Sequence, residues 1–335
     1  VKKIAINGFG RIGRCLIRAF FEHSYPDLEL VAINSPSNIE TLAHLLKYDS
    51  IHGGFKYELK VIDDTFIIND KKIKLFHEKN IEKLPWQDYG IDIVLESSGK
   101  YNDKDLAIKH IAAGAKKVIV SAPCDGADAT IVYGVNHHLL DDKSYNLISI
   151  GSCTTNALAP LAKILNDAFT IEAGFMTTIH AYTNDQNIID NSHKDLRRAR
   201  AASLSIIPTT TGAAKSIGIV IPELEGKLEG SAIRVPTPNV SMIDFSFVTK
   251  ATFSKKDINH LINQAAHNEF KNIISIASAP LVSIDYNHTP YSAIFDPYET
   301  KVINKNFGRI IAWYDNEWGF SCRMLDIAHL WAKNL

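Results

Sequence analysis

Cys153 follows Ser152 and precedes Thr154-Thr155-Asn156, at the start of a stretch in which Ala157, Leu158, Leu161, Ile164 and Leu165 recur at helical spacing. A thiol at a helix N-terminus meets the positive end of the helix dipole, which favours the nucleophilic thiolate. The hydroxyls and amide beside it can donate to an anion. The same residues also read as a small buried cysteine next to a Ser/Thr helix cap, and both readings stay open at this point. A thiolate nucleophile needs a base or a cation. The strand-like run Gly174 to Thr183 returns after the helix and can set His180 against Cys153, although thirteen histidines leave room for a merely structural one. Thr209-Thr210-Thr211-Gly212 opens another helix-like stretch, an N-terminus suited to anions. Arg197, Arg198, Arg200 and Arg234 supply cations matched to phosphate oxygens, or partners for acids at a subunit contact.

A second chemistry sits at the start of the chain. Gly8-Phe9-Gly10-Arg11-Ile12-Gly13 is a G-x-G-x-x-G between a strand signal (Ile4 to Ile6) and a helix signal (Arg11 to Phe21). In that context the glycines allow a tight turn, close approach of backbone to a pyrophosphate, and packing of helix on strand. An NAD site then usually carries Asp or Glu at the end of the second strand, on the ribose 2′-hydroxyl. Here the second strand ends Ile33-Asn34-Ser35-Pro36. A carboxylate would repel a 2′-phosphate and Ser35 would not, so either NAD still binds or NADP is admitted.

The elements that must hold these residues alternate in the first half. Leu28 to Ile33 and the buried runs Asp92 to Leu95 and Lys117 to Val120 read as strands of a parallel sheet. Ile39 to Lys47 reads as a helix and Asn69 to Lys72 as a hairpin turn. This is the pattern of a doubly wound α/β domain. From about residue 150 the strands lengthen: Gly174 to Thr183, Lys227 to Val235, Asn239 to Thr249, Leu281 to Tyr286 and Arg309 to Tyr314. A mainly antiparallel sheet with helices on one face is expected, with Asp185 to Ala202 as a long ordered loop. The division expected is a dinucleotide-binding domain over 1–150, a catalytic domain over 151–316, and a helix over 317–335 packing back on the first, with Phe320, Met324, Ile327 and Trp331 on one face.

With 335 residues, 46% hydrophobic and 22% charged, the chain is long enough for two cored domains. A net charge of −1 offers no footprint for nucleic acid or anionic membrane. No apolar run approaches the roughly 18 residues of a membrane span. The four cysteines lie far apart, without a C-x-x-C pair, so no zinc or other metal framework and no disulfide scaffold is expected. The cysteine usage and the polar start of the chain lead to an expectation of a reducing, cytoplasmic home.

Taken together these residues resemble a family from end to end: phosphorylating glyceraldehyde-3-phosphate dehydrogenase, of the type I, bacterial-like kind. The motifs that carry the resemblance are Asn7-Gly-Phe-Gly-Arg-Ile-Gly-Arg14, Ser152-Cys-Thr-Thr-Asn156, Thr177-Thr-Ile-His180, Ala181-Tyr-Thr-Asn-Asp-Gln186, His193 to Arg200, Pro208 to Lys215, Arg234 to Ser241 and Tyr314-Asp-Asn-Glu-Trp-Gly319. The resemblance implies a Rossmann dinucleotide-binding domain followed by an α+β catalytic domain. It implies Cys153 as nucleophile and His180 as base, acting through a hemithioacetal and a thioester. For the cofactor it implies Gly8, Gly10, Arg11, Ile12, Gly13, Asn34, Ser35, Lys79, Ser98, Gly99, Ser121 and Asn316. For the attacking phosphate it implies Ser152, Thr154, Arg198, Thr211 and Gly212, and for the substrate's own phosphate Thr183 and Arg234. It also implies a homotetramer, in which the Asp185 to Ala202 loop reaches a neighbouring subunit.

The chain departs from the family at Ser35, where Asp is usual, and at Asn191-Ser192, where NAD-specific bacterial members usually have Leu-Pro. Family members that use NADP often carry small or polar residues there. The expectation is therefore use of both NAD and NADP, with NADP favoured and Lys79 and Lys194 as candidate cations. Two alternatives accompany this reading: erythrose-4-phosphate dehydrogenase, a relative that usually breaks the Thr209-to-Lys215 motif, and a non-catalytic binding role.

Overall fold

The computed structural model describes all 335 residues and separates into two compact units. The first comprises 1–131, 137–151 and 321–335; the second comprises 132–136 and 152–320.

The first unit is built on a nine-stranded sheet. Its order is Ala129–Thr130, Leu147–Ser149, Lys117–Val120, Ile93–Glu96, Lys2–Asn7, Leu28–Asn34, Lys71–Phe76, Thr65–Ile68, Leu59–Ile62. The first seven run parallel and the last two form an antiparallel meander with Lys71–Phe76. Ile93–Glu96 and Lys117–Val120 are buried along their whole length, as strands covered on both faces must be. The meander turns at Asn69 (φ 47°) and Asp70 (φ 64°), two left-handed residues of the types that tolerate this best. The strand order reverses at Lys2–Asn7, which lies between Leu28–Asn34 and Ile93–Glu96. This leaves a crevice at the carboxyl ends of the strands, where doubly wound sheets bind ligands. The unit therefore has the Rossmann architecture expected from the alternation.

The last helix, Trp318–Lys333, contributes its residues from 321 on to this unit. Met324, Ile327 and Trp331 are buried, and the Lys117 ammonium lies 5.2 Å from the Trp331 ring centroid. That ammonium also donates to the carbonyls of Lys143 and Tyr145 and to Asn146 Oδ1.

The second unit carries a seven-stranded sheet: Ile207–Thr210, Leu228–Val235, Ile171–Ala181, Ser241–Thr249, Phe307–Tyr314, Ala293–Ile303, Ile274–Ile276. Four of its six pairings are antiparallel and two are parallel. Helices Cys153–Phe169, Ala213–Val220 and Lys255–His267 contribute apolar residues to its core, with Leu158, Leu161, Ile217 and Ile262 among Phe245, Phe295 and Met176.

One expected strand is absent: Leu281 to Tyr286 forms a 3₁₀ turn over Ser283–Tyr286. Asp285 Oδ2 accepts the Val282 N–H at 2.9 Å, and Val282 and Ile284 face solvent instead of alternating into a core. The strand in that part of the sheet is Ala293–Ile303, whose Asp-Pro-Tyr-Glu centre hid its pattern. The segment 185–202 contains neither helix nor strand.

Candidate active site

In the first unit the strand Lys2–Asn7 delivers the chain to Gly8, whose φ is +95°. A Cβ on Gly8 would lie 2.4 Å from the Ser98 backbone, and one on Gly13 would lie 2.1 Å from the Gly8 carbonyl oxygen. Only glycine fits at either place. A Cβ on Gly10, in contrast, would meet nothing within 4 Å, so the backbone there faces open space. Gly10 is also the N-cap of helix Arg11–Glu22 and has no side chain to satisfy the first-turn N–H groups. An open, uncapped helix start of this kind suits a pyrophosphate. It opens on a cleft of about 310 Å³ whose lining includes Gly8, Gly10, Asn34, Lys79, Ser98 and Tyr101.

A buried hydrogen-bond network forms the floor of this cleft. Glu96, 1% exposed, ends the Ile93–Glu96 strand. Its Oε1 accepts from Ser98 N at 2.7 Å and Ser98 Oγ at 2.6 Å. Its Oε2 accepts from Asn7 Nδ2 at 2.5 Å and His110 Nε2 at 3.0 Å. Trp86 Nε1 donates to His110 Nδ1 at 2.9 Å, which leaves the ring proton on Nε2, facing the carboxylate. Asn7 Oδ1 accepts from Asn34 Nδ2, and Asn34 exchanges hydrogen bonds with the Glu78 backbone. The ends of three strands are thereby tied together beneath the glycine loop. Glu96 is not among the expected site residues; its signal in the sequence is a carboxylate closing an otherwise apolar buried run, Ile93-Val-Leu-Glu96.

Ser35, Gly99 and Ser121 are expected at the cofactor but lie outside this lining. Ser35 is 5% exposed and does not line the cleft; its backbone bonds Phe76 and His77. Gly99 (φ +73°) and Ser121 follow the neighbouring strands but are also outside the lining. The Arg11 guanidinium is held by Asp49 through two hydrogen bonds of 2.6 and 3.1 Å, so only its backbone, like that of Ile12, is presented at the helix start. Glu78 lines the cleft beside Lys79, and its Oε1 accepts from Asn80 N–H at 2.8 Å.

The second unit brings Cys153 and His180 together. Ser152 caps helix Cys153–Phe169 through a reciprocal capping box with Thr155, which fixes the helix start and with it the direction of the thiol. On strand Ile171–Ala181, Met176, Thr178 and His180 share the buried face. His180 Nε2 lies 3.4 Å from Cys153 Sγ. Tyr314 OH bridges Thr154 Oγ1 and Thr178 Oγ1, each at 2.8 Å, and its ring meets the His180 ring edge-on at 5.9 Å. Strand pairing aligns Arg234 with His180, and Arg234 Nη1 reaches His180 Nδ1 at 2.8 Å and the Ala181 carbonyl at 2.9 Å.

Burial pushes the Cys153 thiol above its ordinary range, while the Arg234 charge, the Thr154 hydroxyl and first-turn N–H groups pull it back. Burial, together with the positive Arg234, pushes His180 down to about 3, so the ring is neutral at neutral pH. The Arg234 Nε–H is buried without a partner, a donor suited to an anion.

Asn316 is oriented by a relay: Ala181 N–H donates to Ser241 Oγ, and Ser241 Oγ–H donates to Asn316 Oδ1 at 2.8 Å. The amide therefore keeps its Nδ2 protons to offer. Thr183 stands in the turn after the His180 strand, where Gln186 Oε1 accepts from its N–H and its hydroxyl. The side chains expected at the attacking phosphate are less available. Thr154 is buried on Tyr314, and Thr211 Oγ1 accepts from Ala213 N–H beside the cap residue Gly212. Arg198 donates to Thr209 Oγ1 and pairs with Asp185 and Asp195. Asn191, Ser192 and Lys194 lie in the 185–202 loop, where Asn191 Oδ1 accepts from Ser192 N–H.

Comparison with known proteins agrees with both halves. Residues 2–104 match the glyceraldehyde 3-phosphate dehydrogenase NAD binding domain, and residues 152–316 match the C-terminal domain of the same family. A protein of Xanthobacter flavus named glyceraldehyde-3-phosphate dehydrogenase is 55% identical over 326 residues, covering 97% of each chain. Glyceraldehyde-3-phosphate dehydrogenase 2 of Bacillus subtilis is 50% identical over 332 residues, covering 99% of this chain and 97% of its own. The Geobacillus stearothermophilus protein named glyceraldehyde-3-phosphate dehydrogenase is 50% identical over 326 residues, with 97% of each covered. With a nucleotide cleft in one unit, a cysteine–histidine pair in the other and relatives matched over nearly their full length, the chain belongs to the glyceraldehyde-3-phosphate dehydrogenase family.

Proposed function

We propose that the chain oxidises D-glyceraldehyde 3-phosphate with a nicotinamide dinucleotide and joins the product to inorganic phosphate, giving 1,3-bisphosphoglycerate. The observation that carries this reading is Cys153 Sγ at a capped helix start, 3.4 Å from His180 Nε2. Cys153 is the nucleophile. Its sulfur attacks the aldehyde carbon, and the resulting hemithioacetal oxygen is held by His180 and by N–H groups of the first helical turn. When bound, the nicotinamide accepts the hydride whose loss turns the hemithioacetal into a thioester. Inorganic phosphate then attacks the thioester carbonyl and releases the cysteine.

For the substrate's phosphate, the unpartnered Nε–H of Arg234 and the nearby Thr183 are the donors. Ser152, Thr211, Gly212 and Arg198 would receive the attacking phosphate, with Asp185 and Asp195 as the carboxylates it must displace from Arg198. The dinucleotide would be held by the backbone of Gly8, Gly10, Arg11, Ile12 and Gly13, by Asn34, Ser98 and Lys79 along the cleft, and by the Asn316 amide at the nicotinamide.

Both NAD and NADP are proposed to serve. No carboxylate ends the Leu28–Asn34 strand and Lys79 lines the cleft, which favours NADP; Glu78 acts against a 2′-phosphate. A homotetramer is proposed from the family. The 185–206 segment supports it by exposing Ile188, Ile189, Leu196, Leu204 and Ile206, more apolar surface than a loop in water needs.

Initial rates with glyceraldehyde 3-phosphate and phosphate, with NAD⁺ and NADP⁺ given separately, test the reading. Formation of an acyl phosphate supports it. Thioester hydrolysis to the free acid, with erythrose 4-phosphate as the better substrate, overturns it. Turnover with NAD⁺ alone removes the NADP part.

A further inference from the structure

Asn316 and the segment that faces it are tied together twice. Asn239 Nδ2 donates to Asp315 Oδ2 at 2.9 Å, and Ser241 Oγ–H donates to Asn316 Oδ1 at 2.8 Å. Asp315, 1% exposed, also accepts from the N–H groups of His288, Glu317 and Trp318, which holds the turn that carries Asn316. Val240, between the two ties, has φ +67°, the left-handed region that a β-branched residue rarely adopts. Backbone in that region persists only where the surroundings over-determine it. The ladder between Ile171–Ala181 and Ser241–Thr249 has ended by then, its last pair being Ile179 and Met242, and the Ala181 N–H donates to Ser241 Oγ at 3.1 Å instead.

Protons decide which way the Asn316 amide points. Ser241 is 1% exposed, and Asn316 Oδ1 is the one acceptor that its hydroxyl proton reaches. The Ala181 backbone N–H can only donate, so it takes a lone pair of the hydroxyl and offers that proton nothing. With the amide turned over, Nδ2 could donate to Ser241 Oγ, but the buried hydroxyl proton would be left without an acceptor, which costs the desolvation of that group. The amide oxygen therefore stays on Ser241. The Nδ2 protons, which have no partner within the chain, face the other way.

From this geometry we infer that Ser241 is a positioning residue that sets specificity: it makes Asn316 a donor only, so that the carboxamide of the dinucleotide is held by its carbonyl oxygen and not by its NH₂. An asparagine and a primary carboxamide can otherwise pair in two ways, with either one supplying the oxygen. The fixed amide admits one of them. The inference rests on the proposed placement of Asn316 at the nicotinamide.

The test is equilibrium titration of the full chain, by quenching of tryptophan fluorescence, with NAD⁺ and with two analogues altered at the carboxamide alone. The 3-acetylpyridine analogue keeps the carbonyl oxygen and has CH₃ in place of NH₂. The thionicotinamide analogue keeps NH₂ and has sulfur, a weak acceptor, in place of oxygen. Expected for the unsubstituted chain are affinities for NAD⁺ and the acetylpyridine analogue within about twofold of each other, and a thionicotinamide affinity lower by about threefold to tenfold, the loss of one neutral hydrogen bond. The same titrations on S241V and S241T separate the hydroxyl from the space it fills, since Val and Thr have the same shape. In S241V the amide can turn. The preference against the thionicotinamide analogue then shrinks, and the acetylpyridine analogue, with no NH₂ to offer the turned oxygen, falls behind NAD⁺. A site that was merely loosened would lose the first preference without gaining the second. S241T keeps the original order. An unsubstituted chain that binds the acetylpyridine analogue about threefold or more weakly than NAD⁺, with the thionicotinamide analogue level with NAD⁺, overturns the inference without any variant having to fold. S241V ratios equal to those of the unsubstituted chain overturn it as well. Equal affinities for NAD⁺, both analogues and ADP-ribose overturn instead the placement of Asn316 at the nicotinamide.

Discussion

Replacing Glu96 by Gln tests whether the network beneath the glycine loop shapes the dinucleotide cleft. The substitution keeps size and shape and changes one oxygen to an NH₂. As a carboxylate, Glu96 takes four donors: Ser98 N–H, Ser98 O–H, Asn7 NH₂ and His110 Nε2–H. A glutamine can keep its oxygen toward one pair of these donors, but its NH₂ must then face the other. Turned toward Asn7 and His110, it meets two donors. His110 cannot offer a lone pair at Nε2 instead, because Trp86 Nε1–H already holds Nδ1 as the acceptor. Turned toward Ser98, it meets a backbone N–H that cannot rotate.

Turned toward Asn7 and His110 the NH₂ costs two hydrogen bonds to a charged acceptor, and turned toward Ser98 it costs the one from the backbone N–H, since the hydroxyl can rotate to accept; each is worth about 1.5–3 kcal/mol, and neighbours in one network do not add fully. The expected cost is about 2–4 kcal/mol. For a unit of this size that lowers Tm by roughly 5–15 °C. Ser98 and Asn7 both line the cleft, so dinucleotide affinity falls with stability. Thermal unfolding by circular dichroism and dinucleotide titration by quenching of tryptophan fluorescence measure the two. An E96Q protein within about 0.5 kcal/mol of the original, the range of an ordinary surface substitution, with unchanged affinity, would refute the reasoning.

Three further outcomes follow from the same kind of accounting. Cys153→Ser abolishes turnover while dinucleotide titration stays unchanged, because the glycine-loop cleft is lined by residues of the first unit alone; lost binding would contradict the separation of roles. Asp49 sits well below the ordinary carboxylate range, since the Arg11 hydrogen bonds and the Ile51 and His52 N–H groups outweigh burial. A depressed carboxylate adds stability above its unfolded value, about 3.9, that is lost as pH falls toward the folded value. Acid titration of unfolding should therefore show Asp49→Asn less stable near neutrality but flatter below about pH 4; equal slopes would remove Asp49 from the acid limb. Lys117→Met leaves the Lys143 and Tyr145 carbonyls and Asn146 Oδ1 without their shared donor and takes the cation off Trp331. Hydrogen exchange over 321–333 should speed up by about tenfold or more, the equivalent of 1.4 kcal/mol or above; unaltered protection there would show that the ammonium does not anchor the helix.

Much of this was readable along the chain because it is local. The glycine loop, the all-buried strands and the helix at Cys153 each declare themselves within a few residues, through spacing, burial period or a capping serine. What was not readable depends on register between distant segments. Arg234 was assigned as a phosphate cation by resemblance, and nothing within its own strand says that pairing of Leu228–Val235 with Ile171–Ala181 sets it beside His180. Glu96 lies one residue beyond the expected strand Asp92 to Leu95, and its part depends on His110, Asn7 and Ser98, which converge on it from separate elements. Ser35 shows another limit: its place after the second strand is legible, but its burial is not, since that follows from Phe76 and His77, whose carbonyl and ring Nδ1 meet the Ser35 backbone from the end of a separate strand. Leu281 to Tyr286 has the apolar content of a strand, but Asp285 offers its backbone a closer partner than a neighbouring strand could.

The arginines differ in what offsets their charge. Arg11, at the helix start where a pyrophosphate belongs, is neutralised by Asp49. Arg18 is buried against the carbonyls of Leu46 and Gly53 with Phe55 beneath it. Arg198 is paired with two aspartates. Arg234 instead makes its hydrogen bonds to an imidazole and a carbonyl, with Nε–H left over. A buried cation without a carboxylate is costly unless a function uses it. In the first unit, dipoles and backbone N–H groups are enough for a diphosphate that only needs holding. In the second, a sulfur must become an anion inside the protein, and burial alone pushes it the other way. A fixed guanidinium next to the histidine offsets part of that penalty, since its charge pulls the Cys153 thiol back down.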